Sequence, residues 1–110
     1  MSEAKIKEFK ERLSDIADHY EEKEEEGNPD TNYFSLIRLT ADLAVAALHV
    51  EDLLLAEGTL NTGYRVLSRH VKMNKVHKHS VRFAMLEFRE TGMEMHEIMV
   101  GRPTEEEEEK

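Results

Sequence analysis

Ile6, Phe9, Leu13, Ile16 and Tyr20 follow one another at steps of three and four, which predicts an amphipathic helix over about Ser2 to Glu26. Gly27, Asn28, Pro29 and Asp30 end it, because glycine accepts a left-handed cap and proline cannot continue the ladder, while Asp30 or Thr31 offers a cap to the next helix. That second helix is predicted over Tyr33 to Ala56. It is apolar almost all round, and its narrow polar strip holds Arg38, Asp42, His49 and Asp52. Glu57, Gly58 and Thr59 are read as its end, and Asn61 or Thr62 as the cap of a third helix carrying Leu60, Tyr64, Leu67 and Val71. The last periodic segment places Val81, Met85, Phe88, Gly92, Met95 and Met99 along one seam. Between them, Asn74 to Ser80 contains neither glycine nor proline, so the third and fourth helices are either joined or separated there. Gly92, inside a helical pattern, points to close packing or a kink.

These elements make an all-α fold, an antiparallel bundle of three or four helices in one domain over residues 1–101. Residues 102–110, with Glu105 to Glu109 as a run of like charge, are expected to form a disordered acidic tail. A chain of 110 residues is long enough for one hydrophobic core without staples. Two or three partner helices in so short a chain leave part of the second helix uncovered, which predicts a homo-oligomer, most simply a dimer.

Charge alters the picture more than composition does. Residues 1–57 carry 15 acids against 6 bases and residues 87–110 carry 9 acids against 3, whereas residues 58–86 carry 6 bases and no acid at all, within a net charge of −9. The six are Arg65, Arg69, Lys72, Lys75, Lys78 and Arg82. Arg65, Arg69 and Lys72 lie about 140° from the apolar stripe of their helix and point outward, with Val66 and Met73 beside them. A basic face on an acidic protein implies an acidic partner, either a protein or a nucleic acid whose phosphates those cations neutralise. The plainer reading, ahead of nucleic acid, is pairing against Glu8, Glu11, Asp15, Asp18 and Glu22 of the first helix, within or between subunits. The methionines Met85, Met93, Met95 and Met99 supply either core or an adaptable apolar surface. The glutamate run solubilises the chain, or gates the basic face by competing with an outside polyanion.

Other chemistries find little support. The chain has no cysteine, which removes disulfides, thiolate metal sites and a cysteine nucleophile. None of the six histidines has a Glu three residues before it or a His four away, so no helical metal pair is formed and no metal or other cofactor is assigned. His70 and His77 share a face two turns apart, and His77 and His79 meet only if that stretch is extended. Asp42, His49 and Asp52 set a histidine among carboxylates, but no nucleophile motif or phosphate loop accompanies them, so no catalytic residue is assigned. The longest purely apolar run, Leu43 to Leu48, is too short for a bilayer, and with no signal-like N-terminus a cytoplasmic location without membrane contact is expected.

One short stretch supports an enzymatic alternative. Arg65-Val66-Leu67-Ser68-Arg69-His70 reads as arginine, four residues, histidine, and it resembles the ribonuclease signature of the HEPN family of all-helical domains. The resemblance spans six residues and departs at Val66, where the family usually carries a polar residue. It implies a dimeric helical domain in which Arg65 and His70, paired across the dimer, cleave RNA. The residues themselves favour a non-catalytic, self-associating helical adaptor or regulator whose basic face engages an acidic partner, with nucleic-acid binding through that face as the alternative.

Overall fold

A computed structural model describes residues 3–24 and 29–101 and contains, among them, four helices and no strand: α1 (Glu3–Glu24), α2 (Thr31–His49), α3 (Leu53–Lys72) and α4 (Lys78–Met99). The expected acidic tail lies outside the described residues. Each helix runs antiparallel to the next, and α1 also runs antiparallel to α4. The result is an up-down-up-down bundle of 54 × 26 × 18 Å in which α1 and α3 are diagonal. The core takes the predicted stripe of α1 (Phe9, Leu13, Ile16 and Tyr20) and sets it against Phe34, Ile37 and Leu48 of α2, Leu60 and Leu67 of α3, and Val81, Phe88 and Met95 of α4.

The second helix is shorter than its apolar pattern predicts. It ends at His49, and Glu51 adopts the left-handed conformation at φ 56°. The Glu51 and Asp52 N–H groups then close on the Leu48 and Ala47 carbonyls at 3.0 and 2.9 Å. This is a Schellman ending, built with glutamate where glycine is the usual residue. Asp52 is therefore not part of an α2 polar strip. Its carboxylate accepts from the Leu55 N–H at 3.0 Å and caps α3. Residues 57–59 and the expected caps Asn61 and Thr62 lie inside α3, which continues without interruption to Lys72. Its own end repeats the device: Asn74 sits at φ 59°, with Asn74 and Lys75 donating to the Val71 and His70 carbonyls. The third and fourth helices are thus separate, and Val76 plugs the turn between them.

An ion-pair network and a buried hydrogen bond tie α1 to α4. Arg12 reaches Glu94 at 2.7 Å and Glu87 at 3.7 Å, and Lys5 reaches Glu94 at 3.1 Å. Partial burial pushes the Glu94 carboxyl up, but hydrogen bonds from Arg12 and Lys5, reinforced by their charges, outweigh it and hold the group below the usual carboxylate range. Deeper in, the buried Tyr20 hydroxyl accepts from the Ala84 N–H at 3.3 Å.

The tightest glycine contact between helices is at Gly63 of α3. A Cβ at that position would lie 2.7 Å from Thr40 Cγ2 of α2 and 3.4 Å from the Phe88 ring of α4. Gly92, the position singled out by sequence, is buried but less demanding, since its Cβ would meet Leu60 at an ordinary 3.8 Å. Gly58 faces open space. In urea titrations Gly58→Ala should stabilise the fold by about 1 kcal/mol through helix propensity. Gly63→Ala should cost about 1–3 kcal/mol through overpacking. Loss of stability in Gly58→Ala would contradict an uncut α3.

Candidate functional site

Helix α3 faces the core with Ala56, Leu60, Gly63 and Leu67 and leaves three other sides. Its α2 flank carries Leu55, Thr59, Thr62 and Val66, its α4 flank carries Glu57, Asn61, Tyr64 and Ser68, and its back carries Arg65 and Arg69. The six cations named from sequence are distributed around this helix and onto the next. Arg65, Arg69 and Lys72 are on α3, Lys75 is in the turn, Lys78 opens α4, and Arg82 lies one turn further on. All six are exposed, and none forms an ion pair among the described residues.

Pairing with the acids of α1 does not occur within the chain, because α1 and α3 are diagonal. Glu8 bonds to Lys5 and Arg12 on its own helix, and Glu11, Asp15, Asp18 and Glu22 face solvent. The acids that do reach across helices, Glu87, Glu94 and Glu24, are taken up by Arg12, Lys5 and Arg38. Among the described residues, therefore, no carboxylate compensates the basic surface.

Part of it is concave. A cleft of about 360 Å³ between α3 and α4 is lined by Lys72, Lys78, Arg82 and Arg89, with the Tyr64 and Ser68 hydroxyls and no carboxylate. Arg89 belongs to this site although the charge count by segment excluded it, because Glu87 precedes it in sequence but points towards α1. Tyr64, read as core, is half-buried in the wall of the cleft. Of the methionines, Met95 is core, Met85 and Met99 are half-buried, and Met93 is exposed. On the other side of α3, a shallow apolar depression of about 770 Å³ opens between α2 and α3, where Leu39, Leu43, Leu54 and Leu55 stand 47–70% exposed.

The remaining candidates come apart. Arg65 is on the exposed back of α3, whereas His70 turns towards α2 and places Nδ1 2.8 Å from the Tyr33 hydroxyl. Five helical residues separate them by about 140°, so one chain does not assemble the arginine–histidine pair. His77 is extended, as its meeting with His79 requires, and the two rings stack 5.7 Å apart. Among the described residues no cluster of three His, Asp or Glu groups is arranged to hold a metal ion. Asp42 lies 3.8 Å from Arg38, and His49 closes α2, away from the Asp52 cap. Among the described residues no helix is long and apolar enough to cross a membrane. No known protein family, curated protein or solved structure matches the chain.

An uncompensated cation adds nothing to folding. Lys72→Gln and Arg82→Gln should each leave the unfolding free energy within about 0.5 kcal/mol of the parent. Arg12→Gln, which strips Glu87 of its partner and leaves Glu94 with Lys5 alone, should cost about 1 kcal/mol or more. Chemical denaturation at low salt checks both. A large loss for Lys72→Gln would mean that the basic face is engaged within the molecule.

Proposed function

We propose that the protein is a non-catalytic, self-associating helical adaptor that takes an acidic protein partner on the basic face of α3 and the start of α4. The observation that carries this reading is the set of six exposed cations, Arg65, Arg69, Lys72, Lys75, Lys78 and Arg82, which form no ion pair among the described residues of a protein of net charge −9. Such a surface accelerates and orients encounter with a negatively charged partner. An acidic protein is preferred to nucleic acid for two reasons. The basic cleft runs on towards Glu57 and Glu97, so its charge changes sign along its length, which suits an unevenly charged protein surface better than an evenly charged phosphate backbone. The nearby exposed aromatic, Phe83, is turned to α1, with its ring 5.3 Å from His19, and offers no platform for stacking bases.

Self-association is assigned to the leucines between α2 and α3. Burying a leucine fully is worth roughly 1.5–3 kcal/mol, so covering four that are about half exposed contributes several.

Anisotropy titrations of labelled polyglutamate and of single- and double-stranded oligonucleotides test the basic face. Polyglutamate should bind at low salt and lose at least about tenfold in affinity in the Arg69→Glu, Lys72→Glu variant. Tight oligonucleotide binding without polyglutamate binding would put nucleic acid in the partner's place. Light scattering should give about twice the 12.8 kDa chain mass, and Leu43→Asp with Leu54→Asp should halve it. A monomer at every concentration would remove self-association.

A further inference from the structure

The groove between α3 and α4 has a second periodicity that the core does not use. Along α4, Arg82, Leu86, Arg89, Met93, His96 and Val100 recur at steps of four, three, four, three and four, the spacing of a coiled-coil seam. They lie on the side of α4 that faces α3, away from the buried stripe of Val81, Ala84, Phe88 and Met95. The two kinds of position alternate strictly. Arg82, Arg89 and His96 are basic or ionisable, and Leu86, Met93 and Val100 are apolar and 44%, 55% and 52% exposed. Helix α3 supplies the opposite wall with Asn61, Tyr64 and Ser68 at steps of three and four.

The 360 Å³ basic cleft and a neighbouring 510 Å³ depression adjoin at Tyr64 and Arg89, end to end along the groove between α3 and α4, and together make a trough. From Arg82 to Val100 it runs about 27 Å, the length of roughly five helical turns. We infer that this trough docks one amphipathic helix of the partner protein, with an apolar stripe seated on Leu86, Met93 and Val100 and carboxylates set against Arg82 and Arg89. The inference rests on the basic face being a partner surface, and it specifies what the partner presents there.

Three features of the trough select that occupant. An apolar row at seven-residue steps matches a helix, because an extended chain or a nucleic-acid backbone has no repeat of that kind. The cations flank the row, so the partner's acids lie beside its apolar stripe. The charge is also graded along the groove, from Lys72, Lys78 and Arg82 at one end to Glu57 and Glu97 at the other, so the acids crowd into one half of the docked helix. A second copy of the same trough is a poor occupant, since a two-fold pairing would set Arg89 against Arg89 at its centre and one concave surface against another. Met93 and Met85, which line the trough, suit a site that adapts to its ligand.

The test is a selection from a displayed library of 21-residue helices, apolar residues fixed along one heptad stripe and the other positions random, against the full-length protein. Enriched helices should carry Asp or Glu beside the stripe, concentrated in one half. A synthetic enriched peptide should lose at least about tenfold in affinity in Arg82→Glu with Arg89→Glu, and equally in Leu86→Asp with Met93→Asp. It should change by less than about threefold in Leu43→Asp on the opposite side of α3. All substituted side chains are exposed, and circular dichroism confirms that each variant is folded. No enrichment, enrichment without an acidic bias, or binding lost only in the leucine variant overturns the inference. If polyglutamate still binds the basic face in that event, the broader reading survives and the trough alone is wrong; if neither binds, both fall.

Discussion

Helix α3 lies against α2 at a point where only a glycine fits. With Thr40 Cγ2 waiting 2.7 Å from where a Gly63 Cβ would be, a side chain there would force Thr40 or the helix itself to move in the core they share with Phe88. That approach sets α3 close against α2, with the Phe88 ring of α4 beside it. Two flanks and a back then remain at the surface. The α2 flank joins a leucine face, the α4 flank walls a groove, and the back holds Arg65 and Arg69. The surface chemistry of the protein is arranged around this single helix.

The distribution of charge has the same origin. Acids on α4 that face α1 are neutralised by Arg12 and Lys5, and Glu24 is held by Ser35 and Arg38. Acids and bases therefore cancel where α1 meets its neighbours, and nothing on the diagonal helix reaches the cations of α3. A bundle in which α1 and α3 were adjacent would have hidden them. Diagonal placement, a matter of topology, turns a sequence bias into a surface.

Much of this was legible in the chain. The stripe Ile6, Phe9, Leu13, Ile16 and Tyr20 predicts α1, and all five are buried. The surplus apolar surface of the second helix is real at Leu39 and Leu43. The boundary between α2 and α3 was not legible, because the left-handed residue that ends α2 is Glu51, while Gly58, a conspicuous breaker in sequence, sits in the middle of α3 with room for a side chain. Asp52 carried the missing signal, a capping carboxylate directly before three leucines. The groove was missed for another reason. Its seam, Arg82 to Val100, interleaves with the core seam of the same helix and mixes cations with apolar residues, so a search for one apolar stripe passes over it. Arg89 was obscured by Glu87 and Glu90 beside it, which point elsewhere once the helix forms.

The central claim is that α3 presents self-association on one flank and partner binding on the other, so that the two are independent. Sedimentation velocity with a labelled acidic amphipathic peptide tests this directly. The account predicts that the peptide co-sediments with the dimer at two peptides per two chains and leaves the dimer's dissociation constant unchanged. Dissociation of the dimer on peptide binding, or one peptide shared between two chains, would contradict it.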